Sequence, residues 1–339
     1  MMALPFMVLL ISAAYWRTSS DPESHLPIVS TPAPVQIAAS TVDPSRIAPS
    51  PTPTATATPT STPTPPPTAT STPTRTPTCT PTRTHTVTPT STATFTPTPT
   101  PIRPTPDGVL RQVRVPILMY HHIEDPPPNA DPIRRDLSVS PREFKRQLRY
   151  LKQEGYESIT LNDLVLFLTV GKPLPPKPII LTFDDGYRDA YTQAFPLLRR
   201  FGFVGTFFLV TSFLDAGSPD HLSWDQVREM YAAGMKFEPH SYDHPDLRNR
   251  GFQYLVFQIV GPKEAIEERT GEPCRFFAYP SGRYDQFVID VLRSAHFWGA
   301  VLTEQGALHT SQDLFTLRRV RIHGGDNMDA FIRILNLEW

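Results

Sequence analysis

The chain has 339 residues, with 32 Lys and Arg against 33 Asp and Glu, and a formal net charge of -1. That balance leaves no basic field to draw nucleic acid or an acidic membrane surface, so neither is expected as a partner. The two cysteines, Cys79 and Cys274, exclude a disulfide framework.

Taken in chain order, the first feature is the apolar run from Leu4 to Trp16. It falls short of the roughly 20 residues a transmembrane helix needs. It fits a signal-peptide core, with Ser12-Ala13-Ala14 as a small-residue cleavage site; a short uncleaved anchor is the rival. Residues 1–20 are therefore expected to be a signal peptide or short membrane anchor, and the chain extracellular or displayed at the cell surface. Residues 21–107 become dominated by Thr, Pro, Ser and Ala, as in Pro63-Thr64-Pro65-Pro66-Pro67, and hold more than half of the 40 prolines. Such a segment cannot bury enough apolar surface to offset chain entropy, and its prolines keep it extended. It reads as a disordered stalk, tethering the rest to membrane or cell wall. An O-glycosylated stalk and a plain linker share this composition.

From residue 108 to 339 the pattern changes to alternating strands and helices. Val113 to Met119 reads as a strand. Pro141 to Glu154 reads as a helix with Ser140 as N-cap, Pro141 in its first turn and Gly155 at its end. Ile179 to Phe183 is a buried strand, Ala190 to Arg200 a helix, and Gly205 to Val210 a strand. Ser223 caps a helix over Trp224 to Ala233, and Lys236 to Glu238 is a short strand. Phe252 to Arg269 is helical, with a kink or restart expected at Gly261-Pro262. Arg275 to Tyr279 is a strand, Asp285 to Ala295 a helix, and Trp298 to Leu302 and Arg318 to Ile322 are strands. This alternation implies one α/β domain with a mostly parallel sheet, a barrel or a doubly wound sheet. Catalytic groups belong at the C-terminal ends of such strands.

Four polar clusters sit there. Asp184-Asp185, in Thr182-Phe183-Asp184-Asp185-Gly186-Tyr187, puts adjacent carboxylates at the end of a buried strand, which asks for a cation or a shared proton. In His240-Ser241-Tyr242-Asp243-His244 the two imidazoles, four apart, read as one face of a helical turn able to grip a metal. A carboxylate added to them makes a His-His-Asp set, which suits catalytic zinc and also resembles a non-haem iron triad. Phe277-Ala278-Tyr279-Pro280-Ser281-Gly282 ends a strand in a turn that can aim the Tyr279 N–H into a pocket as an oxyanion donor. His121, in Met119-Tyr120-His121-His122, is the candidate general acid, with His323 as the competitor and His122 as its structural neighbour. Each motif alone also has an ordinary structural explanation. Cys274 reads as a core thiol.

In this order and at these intervals, the three motifs resemble the polysaccharide deacetylases of carbohydrate esterase family 4, the NodB-homology domain, over about residues 113 to 322. The Tyr120-His121 element resembles the subgroup acting on poly-N-acetylglucosamine. The resemblance implies a distorted (β/α) barrel. It implies Asp184 as catalytic base, a divalent metal on Asp185, His240 and His244, the Tyr279 N–H as oxyanion donor and His121 as acid. Zinc is the metal expected, with cobalt or nickel as alternatives. The expected partner is an N-acetylated polysaccharide and the expected state a monomer. Pro280, Gly282 and Trp298 are the candidate substrate contacts; Trp298, like Trp224 and Phe297, is equally a core candidate. Two departures stand out. The arginine that many members place two residues before the proline of the third motif is Ala278 here, and Arg275 does not align with it, so a base-orienting arginine is absent or comes from elsewhere. Near the C-terminus there is Ile322-His323 in place of a Leu-x-His. Rival readings are an O-acetyl polysaccharide esterase, an inactive carbohydrate-binding module and a non-haem iron oxygenase.

Overall fold

The computed structural model describes residues 104–337; the leader, Cys79 and nearly all of the Thr/Pro stretch lie outside the described residues. Eight strands form the centre: β1 (Ile117–Tyr120), β2 (Glu157–Ser158), β3 (Pro178–Phe183), β4 (Gly205–Leu209), β5 (Lys236–Pro239), β6 (Phe276–Ala278), β7 (Gly299–Gln305) and β8 (Leu317–Arg321). They run in the order β5-β4-β3-β1-β8-β7-β6, with β2 paired to the start of β3, and every pairing is parallel. Every residue of β1 and β4 is buried, as expected of parallel strands covered on both faces. The sheet curls into the nearly closed (β/α) barrel that the resemblance implied.

The covering helices are α1 (Pro132–Leu137), α2 (Pro141–Gln153), α3 (Leu161–Val170), α4 (Phe195–Phe201), α5 (Thr211–Asp215), α6 (Trp224–Ala232), α7 (Phe252–Thr270), α8 (Gln286–Ser294) and α9 (Met328–Asn336). Their starts follow from local chemistry. Ser140 accepts the Glu143 N–H ahead of α2, and Ser223 with Gln226 forms a capping box on α6. Thr160 and Asp163 form another on α3, a helix the periodicity did not announce.

Three elements differ from expectation. Val113 to Met119 is not one strand: Gln112–Arg114 pairs antiparallel with Leu308–Thr310, and β1 starts only at Ile117, because Pro116 has no N–H for the ladder. The helix foreseen from Ala190 opens with a wide π turn, Ala190–Ala194, in which the Phe195 N–H reaches back to Ala190 O. Pro196, which offers no amide, follows at once. Finally, α7 runs unbroken through Pro262. Leu255, Ile259, Pro262 and Ile266 share its buried stripe, and that packing outweighs one lost hydrogen bond.

The barrel closes between β5 and β6 through side chains rather than a backbone ladder. The buried Glu238 carboxylate accepts the Arg275 and Phe276 N–H groups at 2.9 and 3.0 Å. Burial pushes its carboxyl up to about 8, against the lowering effect of those two donors. His240 Nδ1 bonds Ala278 O at 2.8 Å, one level higher.

His309, in the Leu308–Thr310 strand of the small antiparallel sheet, is buried, with Nε2 donating to Val115 O at 2.9 Å. Burial pushes its imidazole down from 6.5 to about 4, although the Val115 carbonyl works the other way. Between those values the unfolded chain binds a proton that the folded chain refuses. Stability present above the unfolded value is therefore lost as pH falls through this window, by about 3 kcal/mol. His309→Gln, which keeps an N–H for the carbonyl, is expected to flatten the decline. Melting temperatures of both proteins measured from neutral pH down to pH 4 test this; parallel curves would contradict it.

Candidate active site

The C-terminal ends of the strands open onto a cleft of about 610 Å³ lined by His121, Asp184, Asp185, His240 and His244, together with Tyr187, Ser281, Thr303 and Arg321. The Asp184 N–H extends the ladder to Tyr120 O at 2.9 Å, which keeps its side chain on the inner face. Asp185 then adopts φ +69° and Gly186 φ +74°, so the chain turns back and the second carboxylate faces the cleft from another direction. The doublet is thus split by backbone conformation.

Asp184 is 2% exposed and meets Arg319, which is 0% exposed. Both guanidinium ends engage, Nη1 to Oδ1 at 2.7 Å and Nη2 to Oδ2 at 2.6 Å. Arg319 is itself fixed by Leu302 O at 2.7 Å and Thr182 Oγ1 at 3.1 Å. Burial alone would raise the Asp184 carboxyl, but the charge and hydrogen bonds of Arg319 prevail and hold it well below the usual carboxylate range. Arg319 was not singled out from the sequence. The signal for it was the alternation Leu317-Arg318-Arg319, which is buried-exposed-buried and puts a charge on the inner face of a central strand.

Asp185, His240 and His244 form the second group. Both imidazole Nε2 atoms approach Asp185 Oδ1, at 3.5 Å from His240 and 3.7 Å from His244. The HxxxH pair does not lie on a helical turn, contrary to expectation. The segment is an irregular loop in which Ser241 and His244 take φ +68° and +60°. Local bonds override the helical register. Ser241 Oγ accepts the His244 N–H at 2.9 Å. The buried Gln258 of α7 accepts the Tyr242 N–H at 3.1 Å and donates to Asp243 Oδ1 at 2.7 Å. Because His240 Nδ1 can only donate to the Ala278 carbonyl, its Nε2 carries the free lone pair. Burial, then His240, lower the His244 imidazole, which keeps it neutral as a ligand must be. Two imidazoles and a carboxylate, converging at the cleft, fit a divalent cation of the zinc type.

His121 opens on the same cleft, and burial lowers its imidazole despite the nearby Asp184 and Asp185. His323 does not line the cleft; its Nδ1 bonds Asp136 Oδ1 at 2.8 Å, and Arg321 takes the other oxygen of that carboxylate. The third motif ends β6 in a turn over Pro280–Gly282. The Tyr279 N–H donates to Val301 O at 3.3 Å, a long last rung that it would have to leave to serve an oxyanion. Its side chain is buried, with the hydroxyl on Phe315 O at 3.1 Å. Pro280 is buried. Gly282 has φ +69°, and a Cβ there would meet Thr303 Oγ1 at 2.2 Å, so the turn requires glycine. Trp298 is 6% exposed, lies just before β7 at the end away from the cleft, and carries the Arg275 guanidinium over its ring at 4.9 Å. It belongs to the core. Cys274 is a buried free thiol, as read from the sequence.

Comparison with known proteins agrees with this architecture. A family model described as polysaccharide deacetylase matches residues 171–299, taking in Asp184, Asp185, His240, His244 and the Tyr279 turn, but neither His121 nor Arg319. YxkH of Bacillus subtilis (strain 168), a polysaccharide deacetylase homologue, is 30% identical over 221 residues, which are 65% of this chain and 76% of that protein. The poly-beta-1,6-N-acetyl-D-glucosamine N-deacetylase of Staphylococcus epidermidis is 25% identical over 242 residues, 66% of this chain and 82% of that one. Among solved structures, the Streptococcus pyogenes deacetylase PplD in complex with acetate superposes with a TM-score of 0.62 at 28% identity, over 67% of this chain and 100% of that chain. The chain belongs to the polysaccharide deacetylase family, a family of hydrolases.

Proposed function

We propose that this chain is an exported, metal-dependent hydrolase that removes N-acetyl groups from N-acetylglucosamine-containing polysaccharide and releases acetate. The observation that carries this reading is the convergence of Asp185, His240 and His244 in one cleft with Asp184 and His121. Asp185, His240 and His244 would hold the ion, with zinc favoured by that donor set. When bound, it would polarise the acetyl carbonyl as a Lewis acid and acidify the attacking water. The chain's own groups do the rest. Asp184, kept ionised by Arg319, accepts the proton of the attacking water. His121 gives a proton to the nitrogen as the C–N bond breaks, and its lowered basicity makes its protonated form a stronger acid. Acetate and a free amine are the products. The Thr/Pro stretch would hold the catalytic domain away from the membrane or wall, within reach of polymer.

The test is acetate release by the purified chain from β-1,6- and β-1,4-linked N-acetylglucosamine oligomers and from acetylated xylan. It is run before and after chelation, and again after zinc or cobalt is restored. Release from the oligomers that stops with chelator and returns with metal is expected. Release from xylan alone would make it an O-acetyl esterase, and no release from any substrate would leave a binding role.

A further inference from the structure

Phe213 lines the cleft but has no part in the chemistry described above. It is 38% exposed, on a wall made largely of charged and polar groups. A single exposed apolar side chain is ordinary on a protein surface. This one differs in the rings that back it and in where its neighbouring segments are tied. Phe213 is the outer member of a row of four rings. It stacks on His221 at 4.2 Å between centroids with 20° between planes. His221 meets Tyr187 at 5.1 Å and 31°, and Tyr187 stacks on His122 at 3.5 Å and 28°.

The row is anchored from within. His122 is 1% exposed, and its Nδ1 meets Asp189 Oδ2 at 2.7 Å, while Asp189 Oδ1 accepts the Ile123 N–H at 2.7 Å. His221 Nδ1 is hydrogen-bonded with Ser218 Oγ at 2.9 Å. The Arg134 guanidinium stands over the Tyr187 ring at 5.6 Å, so that ring is already engaged by three neighbours. Phe213 is left as the exposed ring of the row. The backbone ties it to the proposed metal ligands on two sides. The Ser212 N–H donates to Tyr242 O at 2.9 Å, in the loop that carries His240 and His244. His221 bridges to Tyr187, two residues beyond Asp185, and the Leu222 N–H donates to Gly186 O at 2.9 Å. A ring held in this way gives up little freedom when a ligand covers it.

A pyranose offers on one face a set of C–H bonds whose partial positive charge suits the negative face of an aromatic ring. Its hydroxyls suit polar groups such as Asp243, Ser281, Thr303 and Arg321, which line the same cleft. The cleft, at about 610 Å³, is of a size that takes a ligand larger than one sugar ring. The acetyl group under attack belongs beside Asp184 and the Asp185, His240 and His244 set, which leaves Phe213 for an adjoining unit. We propose that Phe213 is the platform of a sugar-binding subsite, on which the pyranose next to the reacting N-acetylglucosamine unit stacks. The proposal rests on the reading of the chain as a deacetylase of such polymers, and adds to it a preference for chains over the single sugar.

The test compares the wild-type chain with Phe213→Ala, Phe213→Leu and Phe213→Tyr. KM and kcat for acetate release are measured on the β-1,6-linked N-acetylglucosamine tetramer, and tetramer binding to the metal-free proteins is measured by calorimetry. For Phe213→Ala and Phe213→Leu, KM is expected to rise about 10-fold with kcat nearly unchanged, and binding to weaken by a similar factor. Phe213→Tyr, which keeps the ring, should stay within about twofold. Leucine keeps apolar bulk without the ring face, so a Phe213→Leu protein that matches wild type overturns stacking. It also serves as the probe should Phe213→Ala fail to fold. KM and binding within twofold of wild type in Phe213→Ala, or a fall in kcat alone, overturn the subsite. The binding arm separates this proposal from the reading it rests on. A wild-type chain that releases no acetate but binds the tetramer, and binds it less well as Phe213→Ala, would keep the subsite and sink the deacetylase. A wild-type chain that neither cleaves nor binds the tetramer would sink both.

Discussion

Arg319→Met is expected to cost about 3–5 kcal/mol of stability and to lower turnover by at least 100-fold, because it strands a buried carboxylate without its countercharge. The size follows from burial. Neither Asp184 nor Arg319 sees solvent to any useful extent, so water cannot stand in for the missing partner. The carboxyl of Asp184 would then rise under its own desolvation and lose its charge near neutral pH. Denaturant unfolding and acetate release measure the two effects separately. The pair Asp184→Asn with Arg319→Met removes both charges, and should recover much of the stability while recovering no turnover. An Arg319→Met protein as stable as wild type would sink the claim that this ion pair holds the base in place.

Asp184→Asn alone is expected to abolish most turnover, by about 1,000-fold, within the range general-base groups typically supply. Zinc content should remain at the wild-type level. The amide cannot accept a proton, yet Asp185, His240 and His244 are untouched, and their contacts run to one another and to Ala278 rather than to Asp184. Some stability will be lost as well, since Arg319 becomes the stranded charge. Turnover and zinc content should therefore be compared well below the melting temperature of the variant. Turnover within tenfold of wild type would remove Asp184 from the role of base.

Much of the site was legible before any coordinates, because its parts are short motifs at the ends of apolar strands. A run such as Ile179-Ile180-Leu181 followed by Asp184-Asp185 reads as a buried strand delivering charge to its mouth, and β3 does this. The arginine that pairs with Asp184 was not legible. The motif in which it was sought has Ala278 at that place, and the guanidinium comes instead from β8, some forty residues further along, by sheet pairing that local sequence does not encode. The shape of the HxxxH loop was hidden for a related reason. Its conformation depends on Gln258, which reaches it from the middle of α7. The continuity of α7 through Pro262 was misread because local propensity carried no weight for the buried stripe against which the helix packs. Helix α3 was missed for want of a strong periodic signal, although Thr160, Asp163 and Gly171 marked both of its ends.

The joint between β5 and β6 has a thermodynamic consequence. One of the groups that span it, His240, bonds across the gap with one nitrogen and faces Asp185, in the proposed metal site, with the other. A cation captured there would bind the folded barrel and not the opened chain, so its binding free energy would add directly to the stability of a seam that has no backbone ladder. Loading the site would then act as a clasp on the fold: the same ion that prepares the cleft for chemistry would raise the cost of prising the barrel apart.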